Sequence, residues 1–232
     1  MTRLAPTYPT VEQNDKKRAV TKIKSAGKKR RAQPKEVRRE QLIQATINCI
    51  ARTGLSGVTM ARVTSEAGLS LGIANLHFET KDKLLLETLK YVSDEYNRGQ
   101  QAILIEQTFP SLSAQMDALL AFDFSRAVTD KNKAAVWYAF LGEAKSRPTY
   151  QHICSRQDSI AEAALTALFQ AVIEEGEYQG ADAALLASGY ISLVDGLCLN
   201  SLVSPRRLPR SKALKTARHC LASAFPKHIK LE

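Results

Sequence analysis

Apolar residues recur at helical spacing through most of this 232-residue chain, from Lys35 onward. Leu42, Ile43, Ile47 and Ile50, for example, lie three or four positions apart and would share one face of a helix. No stretch of useful length alternates apolar and polar residues in the way a half-buried strand does. The pattern therefore predicts an all-α protein of about nine helices.

Small polar residues and glycines divide the first part of this pattern into short helices. The first helix, from about residue 34 to residue 52, ends at Gly54. Thr59 is positioned as the N-cap of a second, short helix that ends at Gly68. Ser70 then caps a third, which runs through Ile73, Ala74 and Leu76 to Phe78. Two short capped helices joined by a glycine turn are typical of a helix-turn-helix.

After this unit Thr80 caps a fourth, longer helix that starts at Lys81. Prolines and glycines separate the later helices, which are predicted at 112–128, 131–146, 149–175, 181–203 and 210–224. The predicted organisation is a basic arm (1–34), a helix-turn-helix DNA-binding domain (35–80), a larger helical ligand-binding and dimerisation domain (81–226) and a tail (227–232).

The net charge of +10 comes entirely from one end of the chain. Residues 1–39 hold 13 Lys or Arg and 3 Asp or Glu, whereas the remaining residues hold 20 of each sign. Such a self-repelling segment is expected to be disordered when unbound and suits contacts with DNA phosphates or a minor groove. A solubilising tail or a mistaken upstream start codon are the alternatives.

Other classes of protein are disfavoured by what the sequence lacks. It contains no nucleotide-binding, hydrolase or zinc-protease motif, so we expect no enzyme, no metal and no cofactor. The four cysteines are far apart and are expected to be buried free thiols. No uncharged stretch approaches the roughly 20 apolar residues of a membrane span. We therefore expect a cytoplasmic protein that is nucleoid-associated when bound to DNA.

The segment TMARVTSEAGLSLGIANLHFETKDKLLLE resembles the signature of the tetracycline-repressor (TetR) family of bacterial regulators. The resemblance covers about 50 residues, from Val37 to Leu86. Within the family, RREQLIQATINCIARTG is most similar to the choline-responsive BetI-like subgroup. The resemblance implies a ligand-responsive transcriptional repressor that binds a palindromic operator as a homodimer.

Position in the helix-turn-helix and the resemblance together predict the DNA-contacting residues. These are Arg38, Arg39, Thr59, Arg62, Ser70, Leu71, Gly72, Ile73, Asn75, His77 and Lys81. The family usually has Tyr at the position of Asn75 and often a polar residue at that of Leu71, which leaves the base contacts at both open. Alternatively, Thr59 and Ser70 only cap helices, His77 packs internally and Lys81 is merely solvated.

The helices at 181–203 and 210–224 are candidates for the dimer contact. Small side chains at Ala183, Ala184, Ala187 and Ser188 would allow another helix to approach closely. The same residues would equally suit the interior of the bundle.

Aromatic residues concentrate on the helices before and after residue 130, and aromatic faces recognise quaternary ammonium ions. Asp195 lies in the apolar run YISLVDGLCLN, where a carboxylate is costly unless it is paired. A choline-like cation is thus a candidate effector, and the predicted ligand-binding residues are Phe122, Phe124, Trp137, Tyr138, Phe140 and Asp195. The alternatives are ordinary core aromatics and a structural hydrogen bond or dimer contact for Asp195.

A second function remains open at this point. A ligand-independent, nucleoid-type protein could bind DNA through the basic arm alone. Such binding would fall steeply with salt and show little sequence preference.

Overall fold

A computed structural model describes residues 34–231, except for the side chains of residue 106 and residues 156–161. Residues 1–33, nearly all of the predicted basic arm, lie outside the described residues. Between 34 and 231 the chain is helical, without a strand. Its α-helices are α1 (Lys35–Thr53), α2 (Met60–Ala67), α3 (Leu71–Phe78), α4 (Lys81–Gln101), α5 (Leu112–Asp123), α6 (Lys131–Glu143), α7 (Pro148–Gly176), α8 (Ala183–Val203) and α9 (Arg210–Ala224).

The all-α prediction is confirmed, and the predicted helices are all present. A π-helical segment, Ala102–Glu106, continues α4, and a 3₁₀ turn, Ala144–Ser146, follows α6. The turns predicted at Gly54 and Gly68 have φ angles of +69° and +64°. A residue with a Cβ is strained in that region, so these glycines end α1 and α2 cleanly.

Two hydrophobic cores fill the described chain. The first, here called the N-terminal core, includes Leu42, Ile47, Val63, Ala74, Phe78, Leu84, Leu89, Val136, Phe140 and Tyr150. The second, here called the bundle core, includes Met116, Leu120, Phe124, Leu165, Phe169, Tyr190, Val194, Ala217, Leu221 and Phe225. The N-terminal core thus joins α1–α4 to α6 and the start of α7.

The chain from Pro34 onward forms one compact unit and does not divide at residue 80. Residues from α4, α6 and α7 complete the N-terminal core, because α1–α3 alone offer too few apolar side chains to close it. The predicted tail differs too. His228 and Ile229 are buried, and His228 Nδ1 lies 3.0 Å from the hydroxyl oxygen of Tyr178. The chain end described here is therefore packed against the bundle.

Helix α8 is more apolar than predicted from the sequence. By length and composition it is long enough to cross a membrane, with a mean hydropathy of 1.4. It packs against α6, α7 and α9, as a core helix does, but only 22% of its most apolar window is buried. An exposed apolar face therefore remains on α8. The cysteine prediction needs a similar correction, because Cys198 is half-buried and Cys220 is exposed.

Candidate DNA-binding face and ligand cavity

Three hydroxyl caps fix the start of each short helix around the turn. The side-chain oxygens of Thr59, Ser70 and Thr80 each accept a hydrogen bond from the backbone N–H three residues later, at 3.2, 3.4 and 3.2 Å. Each cap satisfies an N–H that has no partner within its own helix. An accepting hydroxyl still carries a hydrogen, so Thr59 and Ser70 can cap and also donate to a phosphate.

Helix α3 presents one face to solvent and the other to the N-terminal core. Ala74 and Phe78 are buried and Ile73 is half-buried, while Leu71, Gly72 and Asn75 are exposed. Leu76 is also exposed, although the apolar spacing grouped it with Ile73 and Ala74. In a helix-turn-helix this outer face is the one that enters the major groove.

Basic residues lie beside this face, but not all of them are available to DNA. Lys81 begins α4 and is half-buried. Arg39 is held inside the domain, because its guanidinium pairs with Glu87 and lies over the ring of Phe78. The guanidinium of Arg62 donates to the backbone carbonyl of Gly57. Either arginine could therefore contact a phosphate through its remaining N–H groups or by exchanging its present contact.

His77 is half-buried on the side of α3 that faces α1. Burial lowers the pKa of His77, and the positive charges of Lys35 and Arg38 lower it further. The lowered pKa favours the neutral imidazole, which can donate or accept a hydrogen bond. The same charges show that α1 brings a positive region next to α3.

A cavity of about 640 Å³ lies between α4, α5, α6 and α8. Four of the predicted ligand-binding residues, Phe122, Trp137, Tyr138 and Asp195, line it. Helix α4 contributes Tyr96, whose ring stacks on that of Phe122 with centroids 5.6 Å apart. The cavity volume is in the range that small-molecule sites occupy in proteins.

The other two predicted ligand-binding residues lie elsewhere. Phe124 is fully buried in the bundle core. Phe140 is fully buried in the N-terminal core, where its ring packs edge-on against Tyr150 at 4.8 Å. Neither ring lines the cavity, because clustering along the sequence does not tell which side of a helix each ring occupies.

Asp123, at the end of α5, lines the cavity and was not among the ligand-binding residues predicted from the sequence. It is fully buried, and its two carboxylate oxygens accept hydrogen bonds from Tyr96 at 2.9 Å and Tyr190 at 2.7 Å. Burial raises the pKa of Asp123 to about 6, although the hydrogen bonds from Tyr190 and Tyr96 favour the carboxylate. The sequence does indicate that Asp123 is unusual, because it interrupts the apolar run LLAFDF just as Asp195 interrupts the apolar run YISLVDGLCLN.

Asp195 differs from the expectation that singled it out. Its side chain is exposed in the described chain, so the cost of burial does not apply. Its backbone carbonyl accepts a hydrogen bond of 3.0 Å from the hydroxyl of Tyr138. Asp195 therefore lies at the open side of the cavity, whereas Asp123 is the buried carboxylate within it.

The remaining charged groups of the cavity wall are less buried than Asp123. Arg126, Lys131 and Arg210 are exposed, and the Lys133 ammonium is 2.7 Å from Glu95. Asp123 is thus the one fully buried charged residue in the lining.

Two buried polar atoms of the cavity lack a hydrogen-bond partner among the described residues. They are Oε1 of Gln100 and Oγ of Ser201. The amide nitrogen of Gln100 is occupied, because it donates to the hydroxyl oxygen of Tyr96 at 2.8 Å. An unpaired buried acceptor costs free energy that a hydrogen-bond donor on a ligand would recover.

Helix α6 belongs to both regions of the molecule. Tyr138 lines the cavity and Val136 and Phe140 fill the N-terminal core, while Trp137 lines the cavity and also packs against that core. At the start of α6 the Asn132 amide donates to Asn48 of α1 at 3.1 Å. A shift of α6 at the cavity must therefore also move side chains inside the DNA-binding half.

Two protein families match separate parts of the chain. Residues 42–88 match the family described as bacterial regulatory proteins, tetR family. Residues 113–226 match the C-terminal part of the BetI-type transcriptional repressor.

Individual relatives agree with the family matches. The HTH-type transcriptional regulator BetI of Paraburkholderia xenovorans is 32% identical over 79% of this chain and 91% of its own length. A crystal structure of a putative transcriptional regulator from Pseudomonas aeruginosa PAO1 superposes with a TM-score of 0.72 at 25% identity, covering 84% of this chain and 93% of that one. A regulator from Saccharomonospora viridis, solved in complex with choline, has the same fold, with a TM-score of 0.70 at 20% identity over 80% and 96% of the two chains.

Proposed function

Because this chain belongs to the BetI-type branch of the tetR family of transcriptional repressors, we propose that it binds a palindromic operator as a homodimer and leaves it when a small organic cation occupies the cavity. The relatives are regulators rather than enzymes. The observation that carries the proposal is α6, which has one face in the cavity and the other in the N-terminal core.

The geometry of the helix-turn-helix supports operator binding. The outer face of α3 would enter the major groove, and the start of α4 would place Lys81 and backbone N–H groups near a phosphate. One such unit buries little surface, so a second copy reading a second half-site is needed for tight and specific binding.

The exposed face of α8 supports a homodimer. Leu185 and Val203 are 73% and 71% exposed, and Leu199 is exposed between them. Ala184 and Ser188 share this exposure and would allow close approach, whereas Ala183 and Ala187 are buried within the bundle. A second copy of the chain would cover an apolar surface that is costly in water.

The cavity favours a positively charged effector. Its one fully buried charged residue is Asp123, and aromatic rings of Phe122, Trp137 and Tyr138 surround the same space. Aromatic faces attract quaternary ammonium groups, and a carboxylate adds direct charge pairing. The hydrogen bonds from Tyr96 and Tyr190 already stabilise this carboxylate, but only a cation would also pair with its charge.

A hydroxyl on the cation would match the cavity further. The unpaired acceptor of Gln100 offers a partner to a ligand O–H group. Choline carries both features, and the Saccharomonospora viridis regulator of the same fold was solved with choline bound. We therefore propose a choline-like cation as the effector.

A structural change caused by ligand binding can be transmitted to the DNA-binding half through two helices. The first is α6, as described above. The second is α4, whose Gly99 lies so close to Phe122 that a Cβ would come within 2.2 Å of the ring. A ligand that presses Phe122 towards Gly99 would therefore push on α4, which also carries Leu84 and Leu89 of the N-terminal core.

The test of this function compares duplexes and ligands with the full chain. Fluorescence anisotropy should show tighter binding to the protein's own upstream intergenic DNA than to a shuffled duplex of the same length. Thermal shift should rank choline above tetramethylammonium, which lacks the hydroxyl, and above glycine betaine, whose carboxylate Asp123 would repel.

The same assay separates the alternative of arm-driven, ligand-independent binding. In that case the two duplexes would bind equally, affinity would fall steeply with salt, and removal of residues 1–33 would abolish binding. Equal affinity for the two duplexes would overturn the operator proposal. We further propose that the protein acts in the cytoplasm and associates with the nucleoid when bound to DNA.

A further inference from the structure

Helix α3 carries no charged residue, although it is the helix that would face the bases. Its exposed residues are Leu71, Gly72, Asn75 and Leu76, of which Leu71 is 49% and Leu76 is 73% exposed. A single exposed leucine needs no explanation on a protein surface. Two on the outer face of one eight-residue helix, on either side of its only exposed amide, form a defined chemical pattern.

The four residues are arranged in two neighbouring pairs. Leu71 and Asn75 are four positions apart, as are Gly72 and Leu76, so each pair lies on the same side of the helix about 6 Å apart. The outer face of α3 thus offers an amide with an apolar side chain on either side.

Gly72 indicates that something approaches this face closely. A Cβ placed on Gly72 would meet no atom nearer than the Ser70 hydroxyl oxygen at 3.9 Å. The fold therefore has room for alanine here, and glycine within a helix is less stable than alanine. Close approach of a partner outside the chain gives this glycine a reason that internal packing does not.

The surroundings identify duplex DNA as that partner. Lys35 and Arg38 of α1 are close enough to lower the pKa of His77, and Lys81 begins the next helix. Positive charge therefore borders the uncharged face, as expected where phosphates flank the bases of a groove. A protein partner that covered only the apolar patch would not need positive charge around it.

The side chains present on α3 then indicate which base pairs this helix can recognise. Guanine is most often recognised by arginine or lysine, and α3 has neither. Asparagine pairs with N6 and N7 of adenine, and apolar side chains contact the C5-methyl group of thymine. We propose that α3 recognises A·T base pairs, with Asn75 on adenine and Leu71 and Leu76 on thymine methyl groups. This inference rests on the proposed operator binding.

The experiment begins with the full chain and a library of random duplexes, from which bound sequences are selected. Each thymine of the selected site is then replaced by deoxyuridine, which keeps the hydrogen bonds and removes only the methyl group. Wild-type protein should select A·T pairs in the centre of each half-site. It should lose about fourfold in affinity for each contacted methyl group removed.

Substitution links the effect to a residue. Leu71→Ala should weaken binding to the thymine duplex and remove the deoxyuridine effect at one position, and Leu76→Ala should do so at another. Leu231→Ala is the matched control, because Leu231 is also exposed, at 57%, and lies far along the chain from the helix-turn-helix.

The possible failures are distinct. Specific binding to a selected sequence with G·C pairs under α3, or without any deoxyuridine effect, would overturn this inference and leave operator binding intact. Failure to select any sequence over random DNA would instead overturn the proposed function. Because the deoxyuridine series uses wild-type protein, it gives a result even if Leu71→Ala abolishes binding.

Discussion

The N-terminal core and the cavity region bury different kinds of polar group. In the N-terminal core the buried hydroxyls of Thr46 and Thr88 donate to carbonyls of their own helices, at 2.7 and 2.8 Å. Beside the cavity the buried groups are the carboxylate of Asp123, with its raised pKa, and Gln100, whose Oε1 has no partner among the described residues. Each region also leaves a buried acceptor unpaired among the described residues, Oε1 of Gln41 on α1 in the first and Oε1 of Gln100 in the second, so the difference lies in the buried carboxylate of Asp123.

This difference indicates that the two halves of the molecule have different roles. A core that buries hydroxyls but no charged group holds one arrangement of helices, as a DNA-binding surface requires. A cavity with a costly buried carboxylate gains most when a cation arrives, so ligand binding there can shift a conformational balance. The following predictions test each side of this comparison, in order of decreasing effect.

Phe140→Ala should have the largest effect, on stability. Phe140 is fully buried and packs on Tyr150, so truncation leaves a cavity in the N-terminal core. We expect the free energy of unfolding to fall by about 3–5 kcal/mol in urea denaturation. Trp137→Phe, which keeps an aromatic ring at a partly buried position that borders both regions, is the control and should change stability much less. Equal losses would mean that full burial of Phe140 contributes no more than the partial burial of Trp137.

Asp123→Asn should have the largest effect on ligand binding. Loss of the buried charge removes the partner of the cation, and we expect choline affinity to fall at least about tenfold. Trp137 is the only tryptophan and lines the cavity, so its fluorescence reports binding directly. Asp117→Asn, at an exposed pair with Arg218, is the control. Unchanged choline affinity in Asp123→Asn would show that the cation does not contact this carboxylate.

Acidification should weaken ligand binding in the wild-type protein. With a pKa of about 6, Asp123 is mostly ionised at pH 7 and mostly protonated at pH 5. Choline affinity measured by Trp137 fluorescence should fall about tenfold over this range, as the ionised fraction does. Asp123→Asn should show a much flatter dependence. A flat profile in the wild type would place the relevant charge elsewhere.

The same pKa shift also predicts how stability depends on pH. The native pKa lies above the ordinary value of 3.8, so between about pH 4 and 6 the native state binds more protons than the unfolded state. The free energy of unfolding should therefore decrease as pH rises through this window, and the Asp123→Asn variant should lose that contribution. An increase from this residue over the same window would contradict the shift.

Ser70→Ala should have the smallest effect. The hydroxyl of Ser70 accepts from the N–H of Ile73, and loss of such a cap costs about 1 kcal/mol. We expect a small decrease in melting temperature and a modest loss of operator affinity. Ser70→Asp, which retains capping, should recover stability but not DNA affinity, since it adds a negative charge beside phosphates. Full recovery of both would contradict a DNA contact at Ser70.

The helix-turn-helix was predictable because its signals are local. Thr59, Gly68 and Ser70 act on backbone groups within three residues, so their roles follow from the sequence alone. The helix boundaries follow for the same reason. The buried face of a short helix is harder to predict, because eight residues make only two turns. Leu76, for example, shares the apolar spacing of Ile73 and Ala74 but is exposed.

The cavity was only partly predictable because four distant helices form it. Apolar spacing places Trp137 and Phe140 on the same helix but does not say which neighbour each will meet. Asp123 and Tyr190 are 67 residues apart, and no local pattern indicates their hydrogen bond. Asp195 was predicted because a buried carboxylate needs a partner. The carboxylate that is buried, however, is that of Asp123.

The central claim is that occupation of the cavity lowers operator affinity through α4 and α6. Fluorescence anisotropy of a selected operator, with and without saturating choline, tests it most directly, while Trp137 fluorescence verifies occupancy in the same samples. We predict that choline weakens operator binding of the wild type by about tenfold, and that Asp123→Asn needs at least about tenfold more choline for the same effect. Equal operator affinity in the two conditions, with choline demonstrably bound beside Trp137, would contradict the account.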